Sequence, residues 1–404
     1  MPPPLRIALF SGNYNYVRDG ANQALNRLVG YLLCQGHAVR VYSPTTETPA
    51  FPPVGELVSL PSVAIPKRPE YRFPIGLTDK VRRDLAAFAP DIVHISAPDI
   101  AAHQAASWAR RTDRPVIASI HTRFETYLPY YHLQLLEPVL HGLIRRLYRK
   151  CDALLVPTES TAAVLRAQDM NRTISLWSRG VDRTQFNPAR RSLEWRRSVG
   201  LADDDIAIVF LGRIVLEKGL DVFAEACDLL TARGIAHRVL IIGGGPARTW
   251  FAERLPNAIF TGHQVGIDLA GALASGDIFL NASITETFGN VTLEAMACAL
   301  PVVAAAATGA TNLVRDGETG ILVEPGEIKQ YADALERYIR DPDLRRAHGD
   351  SGLGFAETQD WNQINAAVEN AYYRVIESRA RIARARQLAT KTISQFDLRQ
   401  PDLH

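Results

Sequence analysis

Two carboxylates, Glu286 and Glu294, stand eight positions apart in the segment Thr285-Glu-Thr-Phe-Gly-Asn-Val-Thr-Leu-Glu-Ala-Met-Ala-Cys-Ala-Leu-Pro-Val-Val303. An ionised carboxylate accepts two hydrogen bonds from adjacent hydroxyls, so each can grip a sugar diol. Between them, Gly289 and Asn290 open a helix whose free N–H groups attract anions. The segment therefore suits a polyhydroxylated, phosphate-bearing ligand. In another context the same pair reads as two solvated carboxylates favoured by a helix dipole. The Phe288-Gly-Asn turn and the apolar helix behind it favour the ligand.

Four further places carry chemistry. Leu211-Gly-Arg-Ile-Val-Leu-Glu-Lys-Gly219 follows a strand, which puts Arg213 and Lys218 where cations can neutralise a leaving diphosphate. Gly243-Gly-Gly-Pro246 also follows a strand; it reads either as a phosphate loop or as a tight strand-to-helix turn. In Asp19-Gly20-Ala21-Asn22, Gly20 allows the backbone to approach phosphates and an acceptor closely, the alternative being an ordinary turn. His121, in Ser119-Ile-His-Thr-Arg123, lies at a strand end, where it can hydrogen-bond a sugar hydroxyl, help position the reacting groups, or be structural. No metal is expected. Asp203-Asp-Asp205 precedes its strand and Asp341-Pro-Asp343 falls in a helix-connecting turn, so both read as surface acids. No Cys/His group has zinc spacing, and His132 and His141 read as packing or surface residues.

The elements that must hold these residues alternate. Leu5–Phe10, Ala38–Ser43, Ile92–Ser96, Pro115–His121 and Ala153–Pro157 read as strands apolar on both faces, as in buried parallel sheets. Gln23–Gln35 has helical spacing and stops at Gly36. The second half repeats the pattern with strands Ile206–Leu211, Arg238–Ile242, Ala258–Thr261, Asp277–Asn281 and Pro301–Ala305, and helices near 219–232, 290–299 and 327–339. The fold class is α/β: two Rossmann-like, doubly wound domains facing across a cleft. Residues 1–186 form the acceptor-side domain and 187–358 the nucleotide-sugar domain, divided where the strand-like Ile174–Val181 gives way to Phe186-Asn-Pro188. A helix over 359–378 packs back on the first domain, and 379–404 is a flexible basic tail.

Composition bounds the partners. The 404 residues are 47% hydrophobic and 22% charged with a net charge of +2, which gives no bulk drive toward nucleic acid. Cys34, Cys151, Cys227 and Cys298 are far apart and read as buried thiols of a reducing compartment. The N-terminal residues lack a signal-peptide layout, and the longest apolar run, Ala295 to Ala307, falls short of the roughly 20 residues of a membrane span. A cytoplasmic protein is expected, at most peripheral on the inner face of a membrane. Arg145, Arg146, Arg149 and Lys150, with Pro66–Arg72 and Arg379, Arg381, Arg384 and Arg386, are the basic patches that could meet anionic lipid; solvated helix faces are the alternative.

The chain resembles the retaining glycosyltransferases of family 4, with the B-type architecture, from about Leu5 to Tyr373. The resemblance rests on Thr285–Val303, Gly212-Arg213…Glu217-Lys218-Gly219, Asp19-Gly20, Arg179-Gly-Val-Asp182…Phe186-Asn-Pro188, and Asp316-Gly-Glu-Thr-Gly-Ile-Leu-Val323. It implies that Glu286, with Phe288, Gly289 and Asn290, meets the donor hexose, and that the N–H groups of Asn290 and Val291 face hexose and diphosphate. It implies ribose at Glu294, diphosphate at Arg213 and Lys218, the base at His263, Gln264 and Val265, and His121 near the transferred sugar. Three positions depart from the family pattern: Gly20-Ala21 for Gly-Gly, Arg179 for the usual Asn, and Ala306-Ala-Thr-Gly-Ala310 without a Gly pair. The wording is most similar to the branch of GDP-mannose-dependent α-mannosyltransferases and sulfoquinovosyl-diacylglycerol synthases. The implied activity is metal-independent hexosyl transfer with retention, mannosyl from GDP-mannose as the first choice, to a lipid or glycan acceptor. The nucleotide sugar is a substrate, and no cofactor is expected. The alternatives are a UDP-sugar-dependent glycolipid synthase, a nucleotide-sugar epimerase, or a sugar-nucleotide-binding protein without turnover.

Overall fold

The computed structural model describes residues 2–17, 19–65, 68–121, 135, 137–307 and 309–397. Pro66 and Lys67 of one basic patch, Thr122, Arg123, His132 and Thr308 lie outside them. In chain order the first half runs β1 (Arg6–Phe10), α1 (Gly20–Cys34), β2 (Ala38–Ser43), β3 (Glu56–Ser59), β4 (Ser62–Ile65), β5 (Arg68–Pro74), α2 (Asp79–Phe88), β6 (Ile92–Ile95), α3 (Ile100–Arg111), β7 (Val116–Ser119), α4 (Glu137–Tyr148), β8 (Ala153–Val156), α5 (Glu159–Ala167) and β9 (Ile174–Leu176). The second half runs α6 (Leu193–Ser198), β10 (Ala207–Leu211), α7 (Leu220–Ala232), β11 (Arg238–Ile242), α8 (Arg248–Arg254), β12 (Ile259–Gly262), α9 (Gly266–Ala274), β13 (Ile278–Asn281), α10 (Asn290–Ala297), β14 (Val302–Ala305), β15 (Gly320–Val323), α11 (Ile328–Arg340), α12 (Pro342–Glu357) and α13 (Trp361–Asp397).

Every strand of the two large sheets pairs in parallel, in the orders β3-β2-β1-β6-β7-β8-β9 and β12-β11-β10-β13-β14-β15. The buried faces explain the composition of the strands: β6, β7, β8, β10, β13 and β14 are buried at every position, so no polar alternation is possible. The two sheets define two Rossmann-like domains. In each, the chain order reverses beside the first strand: β1 lies between β2 and β6, and β10 between β11 and β13. Loops leaving the C-terminal ends of such strands diverge and open a crevice. Separately, β4 and β5 form an antiparallel hairpin that joins neither sheet.

Local chemistry sets the element ends. The helix expected from Gln23 begins at Gly20, because the Asp19 carboxylate accepts from the Asn22 N–H at 2.9 Å and caps it. Ile174–Val181 pairs as a strand only over Ile174–Leu176. The last helix runs without a break to Asp397, through much of the segment expected as a tail. Its buried Val368, Ala371, Tyr372 and Val375, at i, i+3, i+4 and i+7, join the core on one face of the first sheet. Arg379 then ties it to Asp152 at 3.1 Å and to the Arg114 carbonyl at 3.0 Å. Three cysteines are buried, but Cys34 is exposed: it ends α1 on the solvent side of the helix.

Val368→Ala removes two methyl groups from the fully buried seam between α13 and the first domain. It is expected to lower stability by about 1–3 kcal/mol, read from the denaturant midpoint at unchanged slope. An unchanged midpoint would mean that α13 is not packed there.

Candidate active site

The C-terminal rims of the two sheets enclose a cleft of about 880 Å³. Every site residue named from the sequence lines it: Gly20 and His121 from the first domain, and Arg213, Lys218, His263, Gln264, Val265, Glu286, Phe288, Gly289, Asn290, Val291 and Glu294 from the second.

Lys218 and Glu286 form an ion pair, 26% and 17% exposed, so the two are largely withdrawn from water together on the second domain's wall of the cleft. Arg213 takes a different partner. Its Nη1 donates to the Tyr71 hydroxyl at 2.7 Å and its guanidinium lies 5.6 Å from that ring. Tyr71 sits on β5, so the hairpin reaches across the cleft to the second domain. The loop that presents Arg213 is braced by the Gly243 turn. Gly243 has φ 143°, and a Cβ there would stand 1.9 Å from the Gly212 carbonyl oxygen. The glycine run thus admits the Arg213 loop by close backbone contact, while Gly243 and Gly244 still line the cleft.

Glu294 lies inside α10, where burial pushes its carboxyl up to about 8, with the Arg27 guanidinium drawing it back. Arg27 also reaches Asp182 at 3.2 Å and lies over the Trp361 ring at 5.4 Å. Phe288 is buried in the second core. The start of α10 meets the first domain directly. A Cβ on Gly20 would lie 2.0 Å from Asn290 Nδ2, so a side chain there would push that amide aside. Asn290 Oδ1 is buried and accepts no hydrogen bond in the structure. His263, Gln264 and Val265 follow β12; Gln264 Nε2 is tied to the Thr261 carbonyl at 3.0 Å and Val265 is largely exposed.

His121 is anchored through its ring. Both ring nitrogens are engaged inside the first domain. Arg179 Nη2 lies 2.7 Å from Nδ1, and an arginine can only donate, so Nδ1 is the acceptor and Nε2 carries the proton. That proton goes to Ser119 Oγ at 2.8 Å; Ser119 Oγ lies 2.8 Å from His94 Nε2, and His94 Nδ1 lies 2.7 Å from the Tyr372 hydroxyl. Burial pushes the His94 imidazole down to about 3, and burial with Arg179 and His94 nearby holds His121 well below the usual imidazole range. Both rings are neutral. What His121 offers across the cleft is its carbonyl, which accepts from Thr287 Oγ1 at 2.6 Å.

Several lining residues escaped the sequence reading. Asp19 and Asp99 both cap helices and face the cleft. Burial raises both carboxyls, Asp99 to about 7; for Asp19 the N–H groups of Asn22 and Ala21 and the Arg213 charge oppose the rise. Tyr71, Arg27 and Arg179 also line it. Of these Asp19 and Arg179 left a signal, Asp19 beside Gly20 in its loop and Arg179 as the departure from the usual Asn. The acids read as surface residues are accounted for: Asp203 pairs with Arg197, Asp341 caps α12, and Asp343 lies 3.6 Å from Arg346.

Two facing Rossmann-like domains with a ligand cleft between their rims make this the B-type glycosyltransferase fold. The chain aligns with a sucrose-phosphate synthase of Thermosynechococcus elongatus at TM-score 0.76 and 20% identity, over 93% of this chain and 100% of that one. It aligns with Anabaena HepE in complex with UDP-glucose at TM-score 0.72 and 17% identity, over 92% and 100%. The family model described as Glycosyltransferase Family 4 matches residues 18–185, and Glycosyl transferases group 1 matches 205–341. The sulfoquinovosyl transferase SQD2 of Arabidopsis thaliana is 31% identical over 92% of this chain and 74% of its own length. A GDP-mannose-dependent alpha-mannosyltransferase of Corynebacterium glutamicum is 30% identical over 84% of this chain and 81% of its own. The chain belongs to glycosyltransferase family 4.

The raised Glu294 carboxyl fixes the sign of a pH effect. Its folded value lies above the unfolded one, so the folded state binds more protons between them and stability falls as pH rises from about 4.5 to about 8. Glu294→Gln is expected to flatten that fall in melting temperature. Parallel curves for the two proteins would show that Glu294 is not the group responsible.

Proposed function

We propose that this glycosyltransferase moves a hexosyl group from a nucleotide sugar to a lipid acceptor with retention, forming an α-glycoside. One observation carries the reading: a cation pair, Arg213 and Lys218, stands beside Glu286 and the open N-terminus of α10 in a single cleft walled by both domains. A departing diphosphate gathers negative charge, and Arg213 and Lys218 supply the positive charge that stabilises it without a metal. Glu286 holds the hexose, Glu294 the ribose hydroxyls, and the Asn290 and Val291 N–H groups the phosphate end. His263, Gln264 and Val265 border the base. Donor binding replaces the Tyr71 contact of Arg213 with a phosphate contact, which couples the hairpin to ligand entry. His121 is a positioning residue in this scheme: through its carbonyl it sets Thr287, and with it Glu286 next along the chain. The donor of first choice is GDP-mannose and the alternative a UDP-sugar. The relatives named for mannosyl and for sulfoquinovosyl transfer support both. No further cofactor is proposed.

The acceptor side suggests a membrane. Among the described residues no helix is long and apolar enough to cross one. Leu135, Val139 and Leu143, spaced four apart along and just before α4, are 94%, 63% and 50% exposed, and Arg146 continues the stripe as an exposed cation. Arg145 and Arg149 pair with Asp169, and Lys150 donates to Ser107 at 2.9 Å, so the basic cluster is weaker than its sequence suggests. Leu140 and Tyr148 of the same helix line the cleft. We propose that this stripe rests on an anionic bilayer and brings the cleft mouth to a lipid acceptor.

Arg213→Ala and Lys218→Ala are each expected to lower kcat by roughly a hundredfold or more, measured as nucleoside diphosphate release with acceptor. Undiminished turnover in both variants would sink the assigned roles. A thermal-shift panel of GDP, UDP and ADP with their sugars identifies the base; a ligand at a hundred times its Kd raises stability by about 2.7 kcal/mol. In liposome sedimentation, anionic vesicles should pellet the protein and Leu143→Glu should weaken binding roughly tenfold. Equal pelleting with neutral vesicles, or no effect of Leu143→Glu, counts against docking.

A further inference from the structure

Two arginines are buried among the described residues, Arg196 and Arg179. They are treated in opposite ways. Arg196 lies 2.9 Å from the Asp277 carboxylate, and carbonyls of Ser275, Ala202 and Asp205 receive its other Nη donors. Arg179, 3% exposed, has no carboxylate partner among the described residues. Its Nη1 donates to the Trp177 and Ser178 carbonyls at 2.7 and 2.9 Å, its Nη2 donates to His121 Nδ1 at 2.7 Å, and the Trp177 ring lies 4.8 Å away. All of these partners are neutral.

Nearby acids are committed elsewhere. Lys218 holds Glu286, Arg27 holds Asp182, and Asp19 and Asp99 cap helices. Burial acts alone on the Arg179 guanidinium and drags it down to about 9. A buried cation without a counter-charge is unfavourable in any protein, and an anion bound beside it removes the penalty. The group is also pre-set for such a ligand. Three of the five N–H donors of its planar fork hold the backbone and the histidine, which fixes its plane, and two remain. It lines the cleft at the end where the His121 carbonyl meets Thr287, beside Glu286. The proposed diphosphate cations, Arg213 and Lys218, belong to the opposite wall.

We propose that Arg179 forms an anion subsite on the first-domain wall of the cleft, facing the wall of Arg213 and Lys218, that takes a carboxylate, sulfonate or phosphate group carried by the transferred hexose or by the acceptor head group. The inference rests on the glycosyltransferase reading of the cleft and adds a substrate class to it. A neutral substrate leaves the subsite unfilled; a charged one makes charge-assisted hydrogen bonds in a place from which water is largely excluded.

Two arms separate the sources. In the first, calorimetry compares UDP-glucose with UDP-glucuronate, and GDP-mannose with GDP-mannuronate. In the second, transfer rates are compared for phosphatidylglycerol and diacylglycerol. The wild-type protein should prefer the anionic member in one arm by roughly thirtyfold or more, and Arg179→Met should abolish that preference. Preference in the donor arm puts the charge on the hexose, and in the acceptor arm on the head group. Arg179→Gln serves if circular dichroism shows that Arg179→Met does not fold. A preference undiminished in the folded variant, or no wild-type preference in either arm while nucleotides still bind, overturns the subsite and leaves the glycosyltransferase reading standing. Failure to bind any nucleotide overturns both.

Discussion

Parallel strand pairing is the constraint on which the rest depends. A parallel sheet must send its chain back over a face after every strand, so all its strands end at one edge. Each edge then gathers loops and helix N-termini, and each sheet reverses its strand order beside its first strand, at β1 and at β10. Two such edges facing each other concentrate the polar chemistry of the molecule in one cleft, while the strands themselves stay apolar on both faces. Across that cleft the contacts are specific: the Asn290 amide against Gly20, Thr287 to the His121 carbonyl, and Arg213 to Tyr71.

A second constraint follows from hydrogen-bond direction. Arginine donates and never accepts, so Arg179 sets the tautomer of His121, whose hydrogen-bond chain runs on through Ser119 and His94 to Tyr372. The last hydroxyl belongs to α13, a helix that follows the whole second domain and returns to pack on the first sheet. The return does two things at once. Its apolar stripe covers one face of the sheet, and its tyrosine closes the polar chain that fixes a side chain at the cleft. Arg27 links the same regions on another side, between Asp182 and the Trp361 ring at the start of α13.

Much of the fold was legible because burial on both faces leaves an unbroken apolar run, and such runs gave most strands of both sheets to within a residue or two; the edge strands β3 and β15 were not read, and at the edge strand β9 the expected Ile174–Val181 ran five residues too far. Helix ends were less legible. The start of α1 shifted three residues because a cap acts through one side-chain oxygen rather than through periodicity. The β4–β5 hairpin was not seen at all: it joins neither sheet, so no run buried on both faces marked it. With it went Tyr71, whose role comes only from reaching Arg213. The Gly243 run illustrates an ambiguity that sequence cannot resolve, since a phosphate loop and a close backbone crossing both require glycine. Here the crossing with the Arg213 loop is present, and the run borders the cleft as well.

By itself the sequence determined the class of chemistry: carboxylates, cations and a helix N-terminus spaced as a nucleotide-sugar site, each at the end of a strand. It could do so because those residues lie within single strand-loop-helix units, whose geometry is local. The tertiary structure decided how those units meet. That Lys218 pairs with Glu286, that His121 presents its carbonyl instead of its ring, and that Arg179 is buried with only neutral partners are facts about residues far apart in the chain. Charge compensation and hydrogen-bond direction are properties of the folded neighbourhood, and no local spacing encodes them.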